Sequence, residues 1–285
     1  MKLVMTLLVR NSEELLRSNL EFHLRQGVAF FVITDNLSDD GTPAIIAEYV
    51  RAGLAEGISE PEDTFSQARW VTRMARRAAT HHAADWVINN DDDEFWRGRG
   101  HSLLQVLEQT PDDVLALEVS RHNHPPLTGV EGAGALARMV YCERTSFNAM
   151  GGPLPAKVCH RADPDIEIGQ GNHAISRGGA PLPAVQTDAL RISHFPLRGY
   201  AAFERKIALG GAAYGRNTEL DPGVGATWRQ LHQLLRQGRL RDWFDQQVLC
   251  PARVREGIEG DALVFDDAVA QALGLIGNGP CVAKA

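Results

Sequence analysis

The sequence predicts an α/β fold in which a mostly parallel central sheet is flanked by helices. Between residues 3 and 90, continuous apolar runs alternate with segments of helical periodicity. Apolar runs of this kind are typical of strands that are buried on both faces. Strand–helix–strand alternation implies parallel strands joined by right-handed crossovers. Each of these strands also ends in a polar cluster, and the carboxyl ends of the strands form the ligand crevice of open α/β sheets.

The first strand is predicted at Leu3–Val9, an unbroken apolar run. Asn11 or Ser12 can cap the helix that follows, which has leucines at helical spacing and ends near Gly27. The second strand, Val28–Thr34, is again apolar and leads into a polar turn. These three elements form the first strand–helix–strand unit.

Pro43 opens a second helix, because proline is favoured at the first helical position. A third helix is predicted over residues 66–83, and another central strand over Trp86–Asn89. Beyond residue 112 the pattern changes, and shorter elements are expected. Strands are predicted at Val114–Val119, Leu136–Cys142, Lys157–His160 and Leu190–His194, and helices at Gly199–Gly210 and Thr227–Gln237.

The composition narrows the class of protein. The chain has 285 residues, of which 44% are hydrophobic, and a formal net charge of −7. This charge provides no basic field, so no nucleic-acid partner is expected. The N-terminal apolar run is too short to span a bilayer, so no transmembrane segment is expected, and peripheral membrane association stays open. A cytoplasmic protein with reduced thiols is expected, because no two of the four cysteines are closely spaced: Cys142, Cys159, Cys250 and Cys281.

Residues 91–94 are four consecutive acids, Asp-Asp-Asp-Glu, between an apolar strand and the aromatic pair Phe95-Trp96. Adjacent carboxylates repel one another. A hard divalent cation such as Mg²⁺ or Mn²⁺ takes oxygen ligands and would relieve this repulsion. The alternative is a strand end with a solvated acidic turn. Trp96 can stack on a sugar or belong to the core.

Two motifs, taken together and in this order, resemble those of family 2 glycosyltransferases, which have the GT-A fold. Residues 35–42, Asp-Asn-Leu-Ser-Asp-Asp-Gly-Thr, stand where that family has a pattern like Asp-Asp-Gly-Ser-Thr-Asp-Gly-Thr at the end of its second strand. The run Asp91-Asp92-Asp93 follows an apolar strand, as the family's Asp-x-Asp metal motif does. Asp91–Phe95 matches the subgroup that reads Asp-x-Asp-Glu-Phe. The resemblance extends to about residue 96.

The resemblance implies a GT-A-like, Rossmann-like domain over residues 1–215. Its nucleotide-binding half would be residues 1–100 and its acceptor half residues 101–215. Residues 216–285 would form a helical C-terminal extension.

The resemblance also implies a set of residues around a nucleotide-sugar donor. Asp35 would accept hydrogen bonds from the nucleobase and ribose; the alternative is a turn aspartate that bonds its own backbone. Arg10 could pair with phosphate, or it could offset nearby acids. The full set of predicted donor-binding residues is Leu8, Arg10, Asn11, Asp35, Asp91, Arg198 and Lys206.

Asp93 is the predicted direct ligand of Mn²⁺ or Mg²⁺, with Asp91 nearer the ribose or a metal-bound water. A register shift of one residue would bring in Asp92 and Glu94. Many GT-A enzymes add a C-terminal histidine as a further ligand, and His194, at the end of its predicted strand, is the first candidate. The metal would neutralise the departing nucleoside diphosphate.

The catalytic base is less clearly marked. Many family members carry it in an acidic pair well after the Asp-x-Asp motif, and this chain has no clear counterpart of that pair. His173, Asp165 and Glu167 are the predicted candidates, and His173 is also the second candidate for the histidine ligand.

The predicted function is a metal-dependent, inverting glycosyltransferase that moves a sugar from a UDP- or GDP-sugar to the hydroxyl of a glycan or glycoconjugate. A sugar nucleotidyltransferase is the first alternative. Those enzymes carry a Gly-rich, basic loop directly after the first strand, where this chain reads Arg-Asn-Ser-Glu-Glu over residues 10–14. The second alternative is a non-catalytic nucleotide- or sugar-binding module of the same fold.

Overall fold

The computed structural model describes residues 1–129, 134–221 and 223–276. Its strands are β1 (Leu3–Val9), β2 (Val28–Asp35), β3 (Ala55–Ser59), β4 (Trp86–Asn90), β5 (Glu94–Gly98), β6 (Ala116–Asn123), β7 (Tyr141–Glu143), β8 (Lys157–Arg161), β9 (Ile166–Ile168), β10 (Ile175–Arg177), β11 (Ala180–Pro181), β12 (Val185–His194) and β13 (Leu263–Phe265). Its α-helices are α1 (Glu13–Arg25), α2 (Thr42–Arg51), α3 (Gln67–His82), α4 (Leu103–Glu108), α5 (Ala135–Arg138), α6 (Tyr200–Arg216), α7 (Ala226–Arg236), α8 (Leu240–Gln247), α9 (Pro251–Glu259) and α10 (Ala268–Ala272).

A large mixed sheet has the strand order β3-β2-β1-β4-β8-β6-β12-β5. Its first four strands are parallel, and Leu7 of β1 lies opposite Ile33 of β2 and Asn90 of β4. Strand β8 is antiparallel to both β4 and β6, so β6 runs in the same direction as β4. The predicted fold class, a mixed and mostly parallel sheet flanked by helices, is confirmed. The carboxyl ends of β1, β2 and β4 therefore lie at one edge of the sheet.

Helices cover both faces of the parallel strands. On one face Leu3, Met5 and Leu7 of β1 belong to a core that includes residues of α1 and α2. On the other face Val4 belongs to a core that includes Met74 of α3. Because both faces are buried, the strands consist of apolar residues in sequence rather than in alternation.

The chain divides into two compact units. The first contains residues 1–121 and 155–192, and the second contains residues 122–154 and 193–285. Within the second unit, α6, α7 and α8 enclose a core of their own: Phe203, Ile207, Leu231, Leu240 and Phe244. The predicted helices over Gly199–Gly210 and Thr227–Gln237 are confirmed, and α6 continues to Arg216. The predicted division at residue 215 stays a prediction.

One predicted element is wrong. Leu136–Cys142 was expected to be a strand, but the chain forms the single turn α5 and then the short strand β7. A short apolar run does not distinguish helix from strand, and β7 depends on pairing with β13, more than a hundred residues later in the chain. Trp96, for which two roles were open, is fully buried in the core of the first unit.

None of the helices in the described part of the chain combines the length and the apolar character that a membrane span requires.

Candidate active site

The four consecutive acids form a tight turn between β4 and β5. The backbone N–H of Glu94 donates to the carbonyl of Asp91 at 3.1 Å and closes the turn. Asp93 is 2% exposed and Glu94 is fully buried, whereas the side chain of Asp91 is 32% exposed. Two of the four carboxylates are therefore withdrawn from water, unlike those of a solvated acidic loop.

Helix α1 fixes this turn through a buried amide. Nδ2 of Asn19 donates to the carbonyls of Asp92 at 3.0 Å and Glu94 at 2.9 Å. Asn90 in turn donates from its Nδ2 to Oδ1 of Asn19 at 3.2 Å. The sequence analysis missed Asn19, although an asparagine between Leu16 and Leu20 on the apolar face of a helix is a detectable signal, because a buried amide needs partners.

Two cations face the acids from neighbouring strands of the same unit. Nζ of Lys157, on β8, lies 2.6 Å from Oδ2 of Asp91 and 3.3 Å from Oε1 of Glu94. Nη1 of Arg121, on β6, lies 2.9 Å from the same Glu94 oxygen. Lys157 is 1% exposed. A lysine this deeply buried needs a paired charge, and the sequence analysis missed Lys157 because its burial follows from the pairing of β8 with β4.

The surroundings shift the pKa values of Asp91 and Glu94 in opposite directions. Burial acts to raise the pKa of Asp91, but the charge and hydrogen bond of Lys157, together with the charge of Arg121, leave that pKa below its ordinary value. Burial raises the pKa of Glu94 against the opposing attraction of Lys157 and Arg121. With all four acids ionised, four carboxylates against two cations leave two negative charges at this turn. A divalent cation would balance that excess.

Oxygen atoms around the turn fit a hard cation or the hydroxyls of a ligand. Oε2 of Glu94 and Oδ1 of Asn172 are buried and accept no hydrogen bond from the described residues. The other side-chain atom of Asn172, Nδ2, donates to Oδ1 of Asp91 at 3.4 Å. The turn does not by itself gather three His, Cys, Asp or Glu ligand atoms within 4.8 Å of one another. Any cation bound here would therefore need further oxygens, such as those of a diphosphate.

His173 follows Asn172 and is oriented by the backbone. Its Nδ1–H donates to the carbonyl of Ala156 at 2.7 Å, which places the lone pair of the neutral ring on Nε2. Burial, and then the positive charges of Lys157 and Arg121, lower the pKa of His173 to about 4. The imidazole is therefore neutral near pH 7, which is the form that accepts a proton or binds a metal.

Asp35 ends β2 at the same edge of the sheet. Its Oδ1 is buried and accepts no hydrogen bond from the described residues. The neighbouring Asn36 donates from Nδ2 to the carbonyls of Glu60 at 3.0 Å and Glu62 at 2.6 Å, which ties the end of β2 to the segment after β3. Asp35 thus presents an unmatched acceptor at a fixed position.

The end of β1 is held by local contacts. Nη1 of Arg10 lies 2.6 Å from Oδ1 of Asp63, so this arginine offsets an acid. Asn11 has a positive φ of 54°, and its Oδ1 accepts from the backbone N–H of Asp39 at 2.8 Å. Leu8 is partly buried against the core on the α3 side. The predicted donor contacts of these three residues stay predictions.

The structure does not bring Asp165 and Glu167 to the acidic turn. Glu167 accepts from Oγ of Ser176 at 2.9 Å, and Arg76 of α3 donates from Nε to the carbonyl of Ile166 at 2.7 Å. The turn that carries Asn172 instead contacts Gln67, the first residue of α3. Arg76 is nine residues after Gln67, or about 13.5 Å further along the helix axis.

The remaining predicted residues belong to the second unit. Nδ1 of His194 lies 2.8 Å from Oδ1 of Asn123, and Arg198 donates to the carbonyl of Phe195 at 2.8 Å. Nζ of Lys206 lies over the ring of Trp228, 5.9 Å from its centroid. Their predicted contacts with metal or donor stay predictions.

Comparison with known proteins gives structural similarities only. No protein-family model matches the chain, and no curated protein matches it. TarS of S. aureus in complex with UDP has 14% sequence identity and a TM-score of 0.41, over 81% of this chain and 70% of that chain. The same protein in complex with UDP-GlcNAc has 12% identity and a TM-score of 0.43, over 92% of each chain. Glucosyl-3-phosphoglycerate synthase of Mycobacterium tuberculosis, in complex with Mn²⁺, UDP and glucosyl-3-phosphoglycerate, has 18% identity and a TM-score of 0.30, over 49% of this chain and 47% of that chain. At TM-scores this low the similarities carry no argument about activity.

Proposed function

We propose that this chain is a glycosyltransferase that moves a sugar from a nucleotide-sugar donor to an acceptor hydroxyl, with Mn²⁺ or Mg²⁺ as cofactor. The observation that carries the proposal is the acidic turn at residues 91–94, four consecutive acids at the carboxyl end of a central parallel strand, of which Asp91 and Glu94 pair with Lys157 and Arg121. Asp35 adds an unmatched buried acceptor at the same edge of the sheet. Open α/β sheets bind ligands at this edge.

The two outer aspartates of the turn have different tasks in this proposal. Asp93 is the proposed direct ligand of the cation, as the Asp-x-Asp resemblance implies, and Asp91, one oxygen of which pairs with Lys157, lies nearer the ribose or a metal-bound water. When bound, the cation supplies positive charge to the departing nucleoside diphosphate. Asp35 accepts hydrogen bonds from the nucleobase or ribose.

His173 is the proposed general base, because its ring is neutral and Nδ1 is already engaged with the Ala156 carbonyl. Nε2 would accept the proton of the acceptor hydroxyl as the oxygen attacks the anomeric carbon from the face opposite the nucleotide. His173→Gln should lower kcat by roughly 10²- to 10⁴-fold, the usual contribution of a general base, with little change in donor affinity.

Asp165→Asn and Glu167→Gln are the matched comparisons for His173→Gln, because both carboxyls were candidates from the sequence. Neither should change kcat by more than a small factor. Wild-type turnover in the His173 variant, or a larger loss in either acid variant, would move the base away from His173.

The substrate class follows from the resemblance to family 2 glycosyltransferases together with this site. The proposed donor is a UDP- or GDP-sugar, and the proposed acceptor is a glycan or glycoconjugate. The reaction would invert the anomeric configuration.

The deciding experiment is a donor screen. The full chain is incubated with UDP-, GDP-, dTDP- and CMP-sugars in the presence of Mn²⁺, and released nucleotide is measured. Release from one donor class, abolished by chelation and restored by Mn²⁺ or Mg²⁺, is the expected result. Tight nucleotide binding without turnover would favour a binding module, and release of pyrophosphate from a nucleoside triphosphate and a sugar phosphate would favour a nucleotidyltransferase.

A further inference from the structure

A second group of metal-ligating side chains lies in the second unit, away from the acidic turn in the sequence. His124, Cys142 and Asp266 each offer one ligand atom, and these three atoms lie within 4.8 Å of one another. His124 and Cys142 are buried, and Asp266 is partly buried. Among the residues that the structure describes, this is the one set of three such side chains gathered so closely.

Strand pairing places two of the three side chains on one face. In the antiparallel pair of β7 and β13, Cys142 lies opposite Val264. Asp266 is two residues beyond Val264, and its backbone N–H continues the ladder by donating to the carbonyl of Val140 at 2.8 Å. Residues opposite each other, and those two positions further along, project from the same face of a ladder. The backbone therefore aims Cys142 and Asp266 to the same side.

The third side chain, His124, is oriented by its surroundings in the same unit. Its Nδ1 lies 2.8 Å from the carbonyl of Met139, so the ring donates there and Nε2 is the nitrogen that can act as a ligand. Its backbone N–H donates to the carbonyl of His194 at 2.8 Å, and its ring stacks on Phe195 at a centroid distance of 4.3 Å. A metal-binding histidine characteristically donates its other N–H to a carbonyl or carboxylate in this way.

We propose that His124, Cys142 and Asp266 form a zinc site with a water molecule as the fourth ligand. Sulfur, imidazole nitrogen and carboxylate oxygen are the ligands that Zn²⁺ takes in tetrahedral sites, at roughly 2.0–2.3 Å. A thiolate is a poor ligand for Mg²⁺ or Ca²⁺, which keeps this site chemically distinct from the acidic turn. The ion joins the segments around residues 124 and 142 to the segment around residue 266, so it stabilises the folded second unit.

Cobalt tests the site directly, because Co²⁺ replaces Zn²⁺ and shows a thiolate-to-cobalt charge-transfer band in the near ultraviolet. The full chain is freed of metal with a chelator and titrated with CoCl₂, and then with ZnCl₂ as competitor. The expected result is a thiolate band that saturates at about one Co²⁺ per chain and disappears when Zn²⁺ is added. The acidic turn contains no cysteine and cannot produce this band.

Variants complete the test. Cys142→Ser should lose the band, and Asp266→Asn should weaken cobalt binding at least tenfold. Asp93→Asn and Cys159→Ser should keep the band, because both residues lie outside the cluster. Zinc should raise the unfolding midpoint of Asp93→Asn but not of the double variant Asp93→Asn/Cys142→Ser, in which the acidic turn is also altered; if that double variant does not fold, Asp93→Asn/Asp266→Asn provides the same comparison. Absence of a thiolate band in wild type, or its persistence in Cys142→Ser, would overturn the proposal.

Discussion

Two aspartates of the acidic turn stand two residues apart and have different surroundings. Asp91 is partly exposed and has Lys157 at one oxygen and Asn172 at the other. Asp93 is buried within the same turn. Lys157 already pairs with one oxygen of Asp91, so a cation that binds that oxygen has to displace the lysine. We therefore expect the carboxylate of Asp93 to supply the negative charge that binds the cation.

Replacing Asp93 by asparagine keeps the shape of the side chain and removes one negative charge. Asp93→Asn should abolish Mn²⁺-dependent nucleotide binding while circular dichroism shows an intact fold. Calorimetry with UDP and GDP, with and without Mn²⁺, measures the effect. Asp188→Asn, an exposed acid on β12, is the control and should bind as wild type does. Unchanged Mn²⁺-dependent affinity in a folded Asp93→Asn would remove the cation from this turn.

Asp35 tests the nucleotide end of the site. Its buried Oδ1 has no donor among the described residues, so a ligand hydroxyl or N–H would be its partner. Asp35→Ala should weaken nucleotide binding by about 1–3 kcal/mol, the usual cost of an unmatched buried polar group, or roughly fivefold to 150-fold in Kd. A titration with equal affinity in wild type and variant would return Asp35 to a purely local role in the turn.

At the scale of elements, the acidic turn depends on α1. The amide of Asn19 donates to the carbonyls of Asp92 and Glu94, and Nδ2 of Asn90 is a second donor to the Glu94 carbonyl at 3.2 Å. Asn19 also accepts from Asn90 and lies beside His23. One side chain thus connects a helix, a strand end and the proposed cation site.

Asn19→Leu keeps the branching and the number of heavy atoms of the side chain and removes its donor. The carbonyls of Asp92 and Glu94 would lose this donor, and Glu94 would keep the one from Asn90, so the free energy of unfolding should fall by about 1–3 kcal/mol. The Mn²⁺ affinity should fall as well, because the turn is no longer held in place. Arg17→Gln, on the exposed face of α1, removes only a surface ion pair with Glu48 and should cost no more than about 1 kcal/mol. A stable Asn19→Leu protein with unchanged Mn²⁺ affinity would contradict this role.

The elements around β1, β2 and β4 could be predicted because their signals are local. Apolar runs mark these strands, and Pro43 lies in the first turn of α2, which begins at Thr42. Strand β5 could not be predicted in this way, since it begins at Glu94 within the acidic run. Lys157 illustrates the same limit at the site. Its place beside Asp91 follows from the antiparallel pairing of β8 with β4, and pairing between distant segments has no local sequence signal.

At the scale of the whole molecule, the chain passes between its two units near residues 121, 154 and 192. Composition and linkers can indicate a boundary at one point of a chain. A unit made of separate segments arises from strand pairing instead, as when β8 enters the sheet between β4 and β6. The sequence therefore predicted the class of fold, while the contacts that complete the site had to come from the structure.

Two buried histidines, His23 and His160, affect the stability of the first unit in acid. The N–H of Trp96 donates to Nε2 of His23 at 3.0 Å, so this ring is neutral and Nδ1 carries the proton toward Asn19. Burial lowers the pKa of His23 to about 3, although the hydrogen bond to Asn19 opposes this. Burial likewise lowers the pKa of His160 to about 4. At a pH at which a histidine of the unfolded chain begins to take up a proton, both rings are still neutral in the folded chain.

This difference predicts the sign of the pH dependence. An unfolded histidine has a pKa near 6.5, so below that pH the unfolded chain binds protons that the folded chain does not. The free energy of unfolding should therefore fall as the pH decreases from about 6.5 toward 4, by up to about 1.4 kcal/mol per pH unit for each of the two rings. Urea unfolding at pH 7, 6 and 5, followed by the fluorescence of the buried tryptophans, measures this slope.

His23→Gln can still accept from Trp96 but cannot titrate, so it should reduce the slope, whereas His101→Gln, at an exposed position, should not. Because a merely structural role for His23 would lower stability equally at every pH, an unchanged slope in His23→Gln would show that protonation of this ring does not limit the acid stability of the protein.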